Sequence, residues 1–297
     1  MLSHLPTTTD LTSISLQKKV LALIRIARPL NCLMSGFAVL IGEWIALGFF
    51  MLSPSLLGFI VAFTLTAAAM VINDYYDVEV DLINSPDKPL PSGAISRGEA
   101  LAYAVLLSLT GLIASVFINV HCFLIACIAL ILLMYYNTIG KRTGFFGNVI
   151  VSTCISFPFI FGGFAVETMK PILYIFTILA FLSNLGREIT KGIADQRGDS
   201  ARNIRTIAVS YGPRTAALVA SGFFTASIVV SWFPLLLVMV SVLYLPFIVA
   251  TDAGFASSSV LLLKDCSASS AKREKNKAIL WMILGLLSFV AGNYSLF

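Results

Sequence analysis

Residues 55–81 read SLLGFIVAFTLTAAAMVINDYYDVEVD, an apolar run that ends in a cluster of carboxylates. The apolar part is long enough to cross a bilayer, since a membrane-spanning helix needs about 20 mostly apolar residues. Asn73, Asp77 and Asp81 follow at intervals of four residues. If one helix covers the whole stretch, these side chains form a stripe along one of its faces. Charge at the edge of hydrocarbon is costly, so the stripe indicates a functional site.

The rest of the chain has the composition of a membrane protein. Of its 297 residues, 58% are hydrophobic and 12% are charged, and the mean hydropathy is +0.92. An average soluble domain has about 45–50% apolar and about 25% charged residues. The composition therefore excludes a soluble globule, a disordered chain and a collagen-like fibre.

Nine stretches are long and apolar enough, or nearly so, to cross a membrane. They lie at about 30–50, 55–73, 100–119, 121–137, 148–167, 171–187, 214–232, 234–251 and 278–296. We therefore predict an all-α integral membrane protein with nine transmembrane helices around a central cavity, located in the cell membrane as a multi-pass protein.

The basic residues predict the orientation of these spans. Of the 20 Lys and Arg, 19 lie in the N-terminal segment or in the connections that follow the second, fourth, sixth and eighth spans, and the exception is Lys170. Positive charge stays on the cytoplasmic side. We therefore expect a cytoplasmic N-terminus and a C-terminus outside. The net charge of +5 then belongs to one membrane face, and we expect no binding to nucleic acid.

The chain divides into two parts of unequal size. Residues 1–29 are predicted to form an N-terminal tail and an interfacial helix, because Leu16, Val20 and Leu23 recur at helical spacing among Lys and Arg. Residues 30–297 are predicted to form a single nine-helix domain. Its cytoplasmic active-site loops are expected at 74–99 and 187–213. We infer no obligate protein partner.

A second carboxylate cluster repeats the spacing of the first. Asp195 and Asp199 are four residues apart, as are Asn184 and Glu188. We interpret this as two related four-helix units whose carboxylates face each other across a cavity. Oxygen ligands favour Mg²⁺, which commonly lies between carboxylates and substrate phosphates. The predicted Mg²⁺ ligands are Asn73, Asp77, Asp81, Asp195 and Asp199.

Basic residues accompany both clusters. Those that we expect to bind anionic oxygen are Lys88, Lys141, Arg142, Lys191, Arg202 and Arg205. Carboxylates for Mg²⁺ together with Lys and Arg are the groups that a diphosphate needs. A secondary transporter, in which the carboxylates bind a coupling cation, is the alternative from a different class.

At these residues the chain resembles the UbiA-type intramembrane prenyltransferases. The family signature NDxxDxxxD stands at 73–81, and its usual sequel stands at 84–93 as NSPDKPLPSG. An early Arg-Pro-x-Asn stands at 28–31, and the second Asp-rich motif stands at 195–199. The resemblance implies that Arg28 and Asn31 help to bind the diphosphate. It also implies that the catalytic residues are Asp77, Asp81, Asp195 and Asp199.

The resemblance implies Mg²⁺-dependent transfer of a prenyl group from a prenyl diphosphate to a lipid-like acceptor in the bilayer. The short motifs at 187–191 and 141–144 are most similar to those of the branch of the family that makes archaeal membrane lipids. There the donor is geranylgeranyl diphosphate and the acceptor is the free glycerol hydroxyl of geranylgeranylglyceryl phosphate, so that an ether bond forms. An aromatic or chlorophyll-type acceptor is the alternative within the family.

Overall fold

The computed structural model describes residues 15–294, apart from the side chains of Asn84 and Tyr294. The expected N-terminal tail, residues 1–14, lies outside the described residues. In chain order the helices are α1 (Leu16–Ala27), α2 (Pro29–Leu47), α3 (Leu52–Asn84), α4 (Arg97–Val116), α5 (Val120–Thr138), α6 (Phe145–Ala165), α7 (Pro171–Ala194), α8 (Gln196–Ala201), α9 (Ile207–Tyr211), α10 (Pro213–Ser231), α11 (Phe233–Leu236), α12 (Tyr244–Lys264) and α13 (Ala268–Tyr294). A 3-10 turn at Gly140–Thr143 joins α5 to α6.

The prediction of nine spans is confirmed for the described part of the chain. The helices that are long and apolar enough to cross a membrane are α2 to α7, α10 together with α11, α12 and α13. Eight of them coincide with predicted apolar stretches. The bounds predicted for the eighth span, 234–251, are wrong, because α11 and irregular structure occupy 233–243 and α12 begins only at Tyr244. The chain is therefore a multi-pass membrane protein.

The spans form two four-helix bundles. One contains α3, α4, α5 and α6, and the other contains α7, α10, α12 and α13. Helix α2 lies between them and packs against α3, α6 and α13. It approaches α6 most closely at Gly42, where a Cβ would overlap the carbonyl of Phe159. This close backbone packing fixes α2 against the first bundle.

The highly charged connections meet at one end of the molecule. Lys19 of α1 pairs with Glu99 at the start of α4, with Nζ 2.7 Å from Oε1. Gly144 lies against the carbonyl of Arg205 so closely that a Cβ would overlap it, and its φ is +62°. No residue other than glycine fits this contact without strain. The side of the membrane on which this end lies stays a prediction.

The two segments predicted as active-site loops are partly helical. Helix α3 continues to Asn84, and α7 continues to Ala194. Helix α3 ends there because Pro86 disfavours a helical conformation at the residue before it. The first carboxylate stripe therefore stands on a rigid helix, and loop structure begins only after it.

Candidate active site

The carboxylate stripe on α3 is neutralised by lysines from two different connections. Lys141 Nζ lies 2.8 Å from Asp77 Oδ2, and Lys88 Nζ lies 2.7 Å from Asp81 Oδ2. Asn73 Nδ2 donates a hydrogen bond of 3.1 Å to the same Asp77 oxygen. The stripe would repel itself if left alone, so these cations stabilise it.

Asp74 is a site residue to which the sequence analysis gave no role. Its side chain is buried, and its Oδ1 accepts hydrogen bonds from Arg28 Nη2 at 2.6 Å and from Lys88 Nζ at 3.4 Å. Asp74 precedes Asp81 by seven residues, which is two helical turns and places both on one face. That spacing is the feature of the sequence that could have identified Asp74 as a site residue. Asp74 joins the N-terminal segment to the connection between α3 and α4.

The connection that carries Lys88 is fixed by its own backbone. The Lys88 amide donates to the carbonyl of Ser85 at 3.0 Å, and the Ser92 amide donates to the carbonyl of Lys88 at 2.9 Å. Pro89, which has a fixed φ, is buried directly after Lys88. The ammonium group is therefore held in place above α3.

The second motif is arranged differently from the first. Asp195 is exposed after the end of α7, and Asp199 is half-buried in α8. Burial and the neighbouring Asp195 raise the pKa of Asp199 above its ordinary value. Lys191 instead pairs with the buried Glu188, with Nζ 3.2 Å from Oε2. Among residues 15–294, neither aspartate of this motif takes part in an ion pair.

Tyr136, near the end of α5, lies between the two motifs. Its hydroxyl interacts electrostatically with Asp77 of the first motif and with Asp199 of the second. Glu188 and Lys191 also interact electrostatically with the Tyr136 hydroxyl. Tyr136 is therefore near charged groups of both motifs. That the two sets of carboxylates face each other across one cavity stays a prediction. Tyr136 carries no charge at neutral pH, so no charge pattern in the sequence marked it.

Four of the predicted binding residues lie at the margin of the site. Asn31 is exposed, and its side chain lies near the sulfur of Met70, with Nδ2 3.7 Å from Sδ. Arg142, Arg202 and Arg205 are exposed, and their side chains form no hydrogen bond or ion pair with the described residues. The structure thus gathers Arg28, Lys88, Lys141 and Lys191 and leaves the other four at the rim.

The carboxylate donors fit Mg²⁺ in the company of phosphate oxygens. Over residues 15–294, no three His, Cys, Asp or Glu side chains lie close enough to hold one metal ion. Asp77 and Asp81 use only their Oδ2 atoms in the contacts above, so each has an Oδ1 oxygen to offer. Mg²⁺ is usually held by one or two carboxylates plus substrate phosphates.

A small apolar cavity of about 60 Å³ lies between α2, α3, α5 and α6. Its lining is Ser35, Val39, Val61, Ala62, Leu65, Thr66, Ile125, Ala126, Ala129, Leu133, Cys154, Phe157, Pro158 and Phe161. Thr66 precedes Asn73 by two helical turns, or about 10 Å along α3. The cavity therefore begins about 10 Å from the carboxylates along α3, and at about 60 Å³ it has room for only part of a long apolar chain.

Comparisons with known proteins agree with this geometry. A model described as the UbiA prenyltransferase family matches residues 35–288. The digeranylgeranylglyceryl phosphate synthase of Methanopyrus kandleri is 36% identical over 270 residues, which cover 91% of this chain and 98% of that protein. The synthase of Archaeoglobus fulgidus is 35% identical over 288 residues, or 94% and 98% of the two chains.

Solved structures share the fold. One, described as "Structural and mechanistic insights into the biosynthesis of Digeranylgeranylglyceryl phosphate synthase in membranes", has a TM-score of 0.85 and 31% identity and covers 94% of this chain and 99% of that chain. A UbiA homologue from Archaeoglobus fulgidus bound to GPP and Mg²⁺ has a TM-score of 0.64 and 18% identity and covers 90% and 99%. The family match and the fold together show that the chain belongs to the UbiA prenyltransferase family and is a membrane-embedded prenyltransferase.

Proposed function

We propose that the protein transfers a geranylgeranyl group from geranylgeranyl diphosphate to the free glycerol hydroxyl of geranylgeranylglyceryl phosphate. The observation that carries this proposal is a cluster of paired carboxylates and lysines at the end of α3. The choice of acceptor follows the relatives named as digeranylgeranylglyceryl phosphate synthases. The family match favours an enzyme over a transporter.

The diphosphate of the donor binds at the end of α3. Asp77 and Asp81 would hold Mg²⁺ together with Asn73, and Asp195 and Asp199 would hold it from the opposite side. When bound, Mg²⁺ supplies positive charge that neutralises the departing diphosphate. Before the donor arrives, the ion pairs with lysine keep the buried carboxylates compensated.

Lys88 and Lys141 change partners when the donor binds. Each ammonium group stands beside a carboxylate and within reach of a neighbouring phosphate. As the bond between C1 of the prenyl group and the diphosphate breaks, the electron pair leaves with the diphosphate. The lysines stabilise this growing negative charge.

The prenyl chain lies between the apolar helices, with part of it in the small cavity, while C1 reacts. The cavity walls exclude water, which would otherwise capture the allylic cation. The oxygen of the acceptor hydroxyl then forms an ether bond to C1, and the hydroxyl proton is released. Arg142, Arg202 and Arg205 at the rim are the residues that we assign to the acceptor phosphate.

A panel of acceptors tests the proposal. Purified protein with Mg²⁺ and geranylgeranyl diphosphate is offered geranylgeranylglyceryl phosphate, 4-hydroxybenzoate or a chlorophyllide, and products are identified by mass spectrometry. We expect a dialkyl glyceryl phosphate ether and release of diphosphate with the first acceptor alone. Prenylation of an aromatic acceptor instead would identify the alternative within the family.

A further inference from the structure

Helix α1 has one face that packs on the protein and a second apolar face that does not. Ala22 and Ile26 are buried against Val71 and Ile72 of α3. At 100° per residue, a different side of the helix carries further apolar side chains. These side chains, Leu16, Val20, Leu21 and Ile24, are all exposed.

Exposed apolar side chains continue along the chain from α1 into α2. Leu30, Leu33 and Met34 are exposed on the first turns of α2, directly after α1 ends. Since α2 crosses the membrane, lipid covers these side chains. The same bilayer then covers the neighbouring apolar face of α1.

A basic stripe borders this face. Lys18 and Arg25 are seven residues apart, so they lie on one side of α1, and both are exposed. Neither takes part in an ion pair among the described residues, and α1 contains no acidic residue. An apolar face with a basic border is the chemistry of a helix that lies in an anionic lipid interface.

Helix α1 is also tied to the donor site. It ends at Arg28, whose φ of +52° is uncommon for a residue other than glycine. Strained backbone of this kind persists where the surroundings enforce it. Here the guanidinium of Arg28 pairs with the buried Asp74 at 2.6 Å. A displacement of α1 would therefore move Arg28 out of the site.

We propose that α1 binds anionic lipid headgroups at the membrane surface and thereby holds Arg28 in the donor site. Affinity for the prenyl diphosphate then depends on the charge of the surrounding lipid. This dependence rests on the proposed function, whereas lipid binding by α1 does not. Each basic residue near an anionic surface strengthens binding about five-fold.

The test places the full-length protein in nanodiscs of phosphatidylcholine with or without phosphatidylglycerol. Amide hydrogen exchange of residues 16–27 reports how firmly α1 is bound at the membrane surface. Calorimetry with geranylgeranyl thiolodiphosphate and Mg²⁺ reports donor affinity. In anionic discs we expect slower exchange and about five-fold tighter binding. The double variant Lys18→Gln/Arg25→Gln loses both differences, and the matched double variant Lys272→Gln/Arg273→Gln on exposed positions of α13 keeps them.

Equal exchange in the two kinds of disc overturns the proposal. So does a lipid response of the double variant that equals the wild-type response. Slower exchange without a change in affinity overturns the link to Arg28. If the analogue binds in neither disc, the proposed donor is wrong, and the exchange data alone then decide whether α1 binds anionic lipid.

Discussion

The four aspartates of the two motifs differ in the ion pairs that are lost when each is substituted. Loss of Asp77 removes the carboxylate that pairs with Lys141, whereas loss of Asp81 leaves Lys88 with Asp74 as its partner. Loss of Asp195 or Asp199 breaks no ion pair among the described residues. The four substitutions therefore affect stability unequally. Their effects on turnover are expected to be similar, because all four remove charge from the predicted metal site.

The first prediction concerns these four positions. We expect Asp77→Ala, Asp81→Ala, Asp195→Ala and Asp199→Ala each to lower kcat at least about 100-fold, because each removes a metal ligand. Turnover is measured at saturating Mg²⁺, and folding is checked by thermal unfolding. Glu79→Ala, at an exposed position of α3, is the control and should keep its activity. Near-normal turnover in any two of the four variants contradicts the arrangement.

The second prediction concerns Asp74. Asp74→Asn removes the charge that pairs with Arg28 and one of the two carboxylates beside Lys88, so Arg28 loses its position near the diphosphate and Lys88 is held by Asp81 alone. We expect the donor KM to rise at least about ten-fold, with little change in the acceptor KM, since truncating one partner of a buried charge pair costs roughly 2–5 kcal/mol. Steady-state kinetics with each substrate varied in turn measure this. Glu79→Gln is the matched control, and an unchanged donor KM would show that Asp74 does not position these residues.

At the level of elements, the turn at Gly140–Thr143 joins α5 to α6 within the first bundle, and the residue after it contacts a connection of the second bundle. Gly144, which follows it, touches the carbonyl of Arg205 in the connection after α8. We predict that Gly144→Ala separates Lys141 from Asp77, because the added Cβ overlaps that carbonyl and the φ of +62° disfavours alanine. Both thermal stability and kcat should fall. Gly222→Ala on α10, where a Cβ meets nothing within 4 Å, is the control and should change neither.

The cavity between the helices gives a prediction about chain length. Ala129 of α5 lines it, so Ala129→Phe fills space that we assign to the distal part of the prenyl chain. We expect the ratio of kcat/KM for geranyl over geranylgeranyl diphosphate to rise at least about ten-fold. Ala102→Phe, on an exposed position of α4, should leave the ratio unchanged. An unchanged ratio in both variants would show that the chain lies elsewhere.

The helices were predictable from sequence more completely than the site was. Apolar stretches marked every span because each must cover the same thickness of hydrocarbon. The stripe of Asn73, Asp77 and Asp81 followed from helical spacing alone. The partners of Asp74 and the position of Tyr136 did not follow, because they depend on how the junction of α1 and α2 and the end of α5 approach α3. Such approaches are set by packing between distant segments.

The whole molecule has one basic end, and its orientation is the last prediction. Positive charge is retained in the cytoplasm, so the end that carries both carboxylate motifs should face inward. Cysteines introduced at two exposed positions test this, Glu167→Cys between α6 and α7 and Ser200→Cys in α8. An impermeant maleimide added to sealed cells should label position 167 and should reach position 200 only after permeabilisation. The unsubstituted protein, which has five cysteines, gives the background labelling. Labelling of position 200 in sealed cells would reverse the topology and place the diphosphate site outside the cell.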